Sequence, residues 1–184
     1  MTGLQRIIRM AGLMASTSLL LAIATPSAAQ DQQDGMAARR VAVTGNCATT
    51  ASKYKTSFSA IDDTTSTTYQ NIAESGIRFV QGGTKPGCVR VAFSAEARAN
   101  TDPGQLDDQV MYVRPFLDGD TLCQPNAVAF VASDPDFTQL TAHAMTFVCT
   151  DVAPGSHTVR MQYLNFGEGE VHIARRTLFV DYVK

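Results

Sequence analysis

Three histidines, His143, His157 and His172, and four cysteines, Cys47, Cys88, Cys123 and Cys149, are the residues best suited to nucleophilic, general-base or metal chemistry. Ser156 stands beside His157, but neighbours on a strand point to opposite faces, so the two cannot form the core of a serine hydrolase. His157 is expected instead to bond its own turn. No Gly-x-Ser-x-Gly, His-Glu-x-x-His, Walker loop or Gly-x-Gly-x-x-Gly occurs, so hydrolase, phosphate-loop and dinucleotide chemistry lack support. The protein is therefore expected to be no enzyme and to need no cofactor.

The cysteines lie 41, 35 and 26 residues apart with no Cys-x-x-Cys, a pattern unlike zinc ligation. An even number in an exported chain reads as two disulfides, for which three pairings are open. Nearness in sequence favours Cys47 with Cys88 and Cys123 with Cys149. Oxygen donors occur in the connections between expected strands: Asp118 and Asp120, Asp134 and Asp136, with Asp102, Asp107 and Asp108 before them. Such residues are weak candidates for Ca²⁺, because none follows a calcium-loop spacing and aspartate is also an ordinary turn former.

Arginine supplies the other candidate chemistry. Arg160, Arg175 and Arg176, with Arg114 and neighbouring His172, would offer bidentate bonds to an anionic glycan or a partner's carboxylates if they shared a face. Tyr54, Tyr69 and Phe137 are the aromatics expected in loops, where a ring could stack on a sugar. If the last two strands form a hairpin pairing Tyr163 with Val171, His172 falls opposite Gln162 and His157 opposite Thr177. The two imidazoles are then too far apart to share a metal.

The elements that must position these residues begin after an export signal. Arg6 and Arg9 open the chain, a mostly apolar stretch runs from Ala11 to Ala24, and Thr25-Pro26-Ser27-Ala28-Ala29 supplies a small-residue cleavage region. Residues 1–29 therefore read as a signal peptide, and the apolar stretch is too interrupted for a membrane span. Cleavage lowers Lys+Arg from 15 to 13 against 17 Asp+Glu, a mildly acidic balance that argues against nucleic acid as partner. Residues 30–40 read as a loose leader and 41–184 as one domain, secreted or periplasmic.

Within that domain short β-type runs alternate with turn chemistry and no long amphipathic helix stands out. A first strand is expected at 41–43 and another between Lys53 and Ile61. Val89, Val91, Phe93 and Ala95 alternate with Arg90, Ala92 and Ser94, and His157, Val159, Met161 and Tyr163 alternate with Thr158, Arg160 and Gln162. Leu178, Val180 and Tyr182 mark a third such face. Asp118-Gly119-Asp120 reads as a hairpin turn, Pro115 as a strand edge, bulge or end, and Gly167-Glu168-Gly169-Glu170 as a chain reversal. About eight to ten strands are expected, in an all-β, antiparallel two-sheet sandwich.

Two stretches carry a resemblance. Gly82-Gly83-Thr84-Lys85-Pro86-Gly87-Cys88-Val89-Arg90-Val91-Ala92-Phe93-Ser94-Ala95-Glu96, and Ala153-Pro154-Gly155-Ser156-His157-Thr158-Val159-Arg160-Met161-Gln162 leading to Arg176-Thr177-Leu178-Phe179-Val180, together resemble exported bacterial β-sandwich proteins of unassigned function. In general build they are similar to jelly-roll modules of the complement C1q and tumour-necrosis-factor-like kind. That resemblance implies a jelly-roll fold, binding of protein or carbohydrate at a cell surface, and homo-oligomers. It carries no catalytic residue across. The expected function is a non-catalytic exported binding module; a structural subunit of a self-associating assembly and a hydrolase or inhibitor on the same scaffold are the alternatives.

Overall fold

In the computed structural model, residues 46–58, 61–100, 109–120, 123–133 and 139–184 are described. The expected signal, leader and first strand at 41–43 lie outside these residues, as do Asp102, Asp107, Asp108, Asp134, Asp136 and Phe137. The described residues form strands β1 (Ala51–Ser57), β2 (Asp62–Thr64), β3 (Gln70–Asn71), β4 (Ile77–Gln81), β5 (Gly87–Asn100), β6 (Val110–Leu117), β7 (Cys123–Gln124), β8 (Val128–Ala132), β9 (Thr141–Val152), β10 (Gly155–Phe166) and β11 (Glu170–Tyr182). There is no helix among them.

Alternation is what builds these strands. Along β5, Val89, Val91, Phe93, Ala95, Ala97 and Ala99 are buried while the residues between them are not; along β10, Val159, Met161 and Tyr163 are buried while Thr158 and Arg160 face outward. A period of two places each apolar set on one face of a pleated strand. The faces meet in one core, in which Phe79, Phe93, Phe147, Met111, Met161, Ile173 and Leu178 are the larger apolar members.

Two antiparallel sheets carry that core between them. The first runs in the order β1-β11-β5-β9-β7 with β2 also paired to β11, and the second in the order β3-β10-β6-β8 with β4 also paired to β10. The fold is an all-β sandwich. Its connections differ from expectation in one respect: from β5 onward every strand lies in the opposite sheet from its predecessor. The Asp118-Gly119 turn does reverse the chain, with φ of 50° and 97° and reciprocal bonds between Leu117 and Asp120 of 2.9 and 2.8 Å, the geometry of a tight two-residue turn. The chain then leaves for β7 in the other sheet, so no hairpin forms.

The expected hairpin of the last two strands is likewise corrected. β10 pairs with β3, β4 and β6, whereas β11 pairs with β1, β2 and β5. Tyr163 lies opposite Val113 and Gln70, and Val171 opposite Ala99 and Thr64. Gly-rich turn chemistry dictates a reversal of direction, but the sheet a strand joins is decided by where its apolar face finds cover.

Both favoured disulfides are present, Cys47–Cys88 and Cys123–Cys149. The second links residues directly opposite in the β7·β9 pair, and both of its cysteines are buried. Such crosslinks fit an oxidising compartment. Pro115 sits on β6 beyond the last residue that pairs with β8, which is where a missing N–H leaves no ladder bond unmade.

Candidate functional site

The outer face of the second sheet gathers the side chains best arranged to hold a ligand. Tyr112, Arg114 and Phe116 alternate along β6, Thr158, Arg160, Gln162 and Phe166 along β10, and Arg78 on β4 lies opposite Thr158. Arg114 is the centre of this surface. Its Nε donates to Gln162 Oε1 at 2.9 Å, its guanidinium lies 3.7 Å from the centre of the Tyr69 ring, and Phe116 is 5.7 Å away on another side. Gln162 in turn donates to Asn71 Oδ1 at 3.0 Å. The arginine is thus held flat by an aromatic ring and an amide, which removes most of the rotamer freedom an exposed arginine would lose on binding.

Arg160 on β10 lies between it and Arg78 on β4, and neither Arg78 nor Arg160 forms an ion pair among the described residues. The described residues that β3, β4, β6, β8 and β10 project outward include no aspartate or glutamate. The strands of this face thus carry only positive charge, with the Asp118 carboxylate at their border, within a chain whose net charge is −2. Tyr112 and Phe166 meet edge to face, with ring centres 6.2 Å apart, and extend the aromatic surface. Burial pushes the Tyr69 hydroxyl upward from its ordinary value, Arg114 opposes the shift and Tyr112 adds to it, so the hydroxyl keeps its proton and can donate. Phe116, Thr158, Arg160, Asp118 and Gly119 border a recess of about 210 Å³. That is smaller than the roughly 300–1,000 Å³ of sites that engulf a small molecule, so an extended ligand would lie across the face.

The arginines grouped in the sequence separate in the fold. Arg160 joins Arg114 on the second sheet, but Arg175, Arg176 and His172 belong to β11 in the first. Arg175 occupies a bulge between Ala174 and Thr177 with φ of 42° and pairs with Glu96 at 2.9 Å. The bulge adds a residue and turns Arg176 inward, where it is 3% exposed and bonds Asp62 at 3.2 Å. A surface combining Arg160 with Arg175, Arg176 and His172 does not exist. Asp62 also accepts the Ala73 N–H at 2.7 Å, and Tyr163 donates to the Asp63 carbonyl at 2.8 Å. Burial, followed by Asp62, drives the Tyr163 hydroxyl far above its ordinary value.

The histidines are equally dispersed. His157 Nε2 bonds the Ala153 carbonyl at 2.7 Å, as expected for a residue satisfying its own turn, and its Nδ1 bonds the Asp118 carboxylate. Ser156 pairs on the outward row with Val80 while His157 pairs with buried Phe79, so no nucleophile and base face each other here. The second oxygen of Asp118 accepts the Thr158 N–H at 2.7 Å. Asp118 therefore serves the turn, and the expected calcium role of Asp118 and Asp120 gains no geometry; Asp134 and Asp136 lie outside the described residues. His143 packs against Phe130 with the rings tilted and their centres 5.3 Å apart, and bonds Thr141 Oγ1 at 2.6 Å. Burial lowers its pKa.

His172 has neighbours that its position in the sequence did not suggest. It faces Asp63 across β2 and Arg98 across β5, with Glu170 Oε2 3.4 Å from its Nε2 and Asn100 Nδ2 2.7 Å away. Burial and then Arg98 lower its pKa, against Glu170 and Asp63. Asp63, Asn100 and Glu170 escaped the sequence reading, although Glu170-x-His172 carries a legible signal, since a spacing of two puts both on one face of a strand. Tyr112, Phe116 and Gln162 were missed because aromatic platforms were sought in loops, not on the outer face of a sheet. Compared with known proteins, the chain matches no family model and no curated protein.

Proposed function

We propose that the protein is an exported, non-catalytic binding module whose second-sheet outer face recognises acidic carbohydrate. The observation that carries this reading is the trio Arg78, Arg114 and Arg160, set among Tyr69, Tyr112 and Phe116 with no outward acid on their strands. A uronate ring presents an apolar face that stacks on aromatic rings, hydroxyls that meet exposed Asn71, and a carboxylate that a guanidinium binds through paired N–H groups. The two disulfides support an extracellular or periplasmic site of action. Strand order supports the finer fold: β1-β11-β5-β9 facing β4-β10-β6-β8 is the arrangement of a jelly roll, an architecture that lectin domains share.

Titration calorimetry with a uronate oligosaccharide and with its methyl ester tests the proposal. Binding of the acid form, weakened about tenfold or more in Arg160→Gln and in Arg114→Gln, is expected. Equal affinity for the ester, or no binding of either, would contradict it.

A second reading, self-association, is favoured by the first sheet. Tyr54 and Phe179 are opposite each other on β1 and β11, their ring centres 5.5 Å apart, and remain 71% and 42% exposed. They adjoin Ala92 and Thr146 on a face of small residues. Light scattering across a concentration series decides between one copy and several.

A further inference from the structure

The outer face of the first sheet holds a convergence of donors that the proposed carbohydrate surface does not use. Glu170 and His172 project from the same side of β11, and the β2·β11 register sets Asp63 directly across from His172. One carboxylate oxygen from Asp63, one from Glu170 and a ring nitrogen of His172 lie within 4.8 Å of one another. His172 is 8% exposed, so its ring is fixed by packing, whereas the Asp63 and Glu170 side chains reach the same point from more open positions.

We propose that Asp63, Glu170 and His172 bind a divalent transition-metal ion of the Zn²⁺ type. Ligands at about 2.0–2.2 Å around a tetrahedral ion stand about 3.3–3.5 Å apart. Glu170 Oε2 and His172 Nε2 already stand 3.4 Å apart, all three donors lie within 4.8 Å, and rotation of the exposed Asp63 carboxylate closes the remainder. Two carboxylates balance the charge of a divalent ion, while Arg98, opposite His172 on β5, lies beside the cluster. Asn100, whose carboxamide sits 2.7 Å from His172 Nε2, supplies a fourth donor when its oxygen turns inward. A nitrogen ligand with only two carboxylates suits Zn²⁺ better than Ca²⁺, which takes six to eight oxygens.

The site is built from two strands, of which β2 is the less secured, being three residues long and paired, among the described residues, only to β11. An ion bridging Asp63 to His172 therefore pins β2 to the sheet. Because Asp63 and its neighbour Asp62 both lie on β2, the ion would also steady the Asp62–Arg176 bond on the opposite face.

Equilibrium dialysis of the purified, untagged protein against Zn²⁺, with Ca²⁺ in a parallel experiment, tests this. Saturable binding of a single Zn²⁺ per chain is expected, with affinity reduced on the order of a hundredfold in His172→Gln and in Asp63→Asn, and unchanged in His157→Gln. Asp63 is exposed, so Asp63→Asn keeps its fold even if His172→Gln does not. No saturable Zn²⁺ binding, a preference for Ca²⁺, or Zn²⁺ binding indifferent to Asp63→Asn would overturn the proposal.

Discussion

At the scale of single residues, the molecule separates polar groups that hold the fold from those left available to a ligand. Arg176 and Arg160 are the same amino acid on consecutive long strands, yet one is 3% exposed and bonded to Asp62 and the other faces outward with no ion pair among the described residues. Removing Asp62 takes a carboxylate partner from a buried guanidinium. Asp62→Ala is therefore expected to cost about 3 kcal/mol, and the double change Asp62→Ala with Arg176→Met less than the sum of the two, as measured by denaturant unfolding. His143 makes a second prediction. Its folded pKa lies below the ordinary 6.5 because burial opposes the charged form, so below that pH the unfolded chain binds more protons than the folded one. The stability His143 confers is full above about 6.5 and declines as the pH falls through its folded value; His143→Gln flattens that part of the stability profile. Asp181 acts at lower pH. Burial raises its pKa, but bonds from Ser52 and Arg90 outweigh burial and leave it lowered, so its contribution disappears only on acidification below the ordinary carboxylate range.

At the scale of elements, the strands were legible in the sequence and their partners were not. Val89, Val91, Phe93 and Ala95 announce the inward face of β5 by alternation alone, and the same pattern identifies β10 and the end of β11. The turns at Asp118-Gly119 and Gly167-Glu168-Gly169 were also visible. A turn, however, fixes direction over a few residues, while pairing is fixed by contacts with strands far along the chain, such as β11 with β1 and β5. That is why Tyr163 and Val171 part company, and why Asp63 could not be matched to His172 in advance. Gly169 shows how tightly one such crossing is made: it has φ of 106°, and a Cβ there would stand 2.8 Å from the Asn100 carbonyl oxygen and 3.0 Å from the Gln109 amide. Gly169→Ala is expected to destabilise by about 2 kcal/mol or more through the backbone conformation and the crowding together. The Cys123–Cys149 bond holds the two-residue β7 to β9 and closes a loop of 26 residues. Cys123→Ser with Cys149→Ser is expected to lower stability by about 3 kcal/mol, read from the shift in urea midpoint.

At the scale of the whole molecule, the sandwich presents two outer faces of different chemistry. The second sheet shows guanidinium groups, amides and aromatic rings; the first shows small residues around Tyr54 and Phe179, with the Asp63, Glu170 and His172 cluster near the far ends of β5 and β11. A ligand on one face need not disturb the other, because the packed core lies between them. The acidic net charge gave no hint of a cationic face, since composition sums over surfaces that the fold keeps apart. Chemical-shift mapping by NMR while a uronate oligosaccharide is added examines the central claim most directly. The account predicts that amide signals of Arg114, Phe116, Thr158, Arg160 and Gln162 move together and saturate, while those of Ala92, Thr146 and Phe179 stay in place. Shifts confined to the first sheet, or none at ligand concentrations that saturate other acidic-glycan binders, would contradict it.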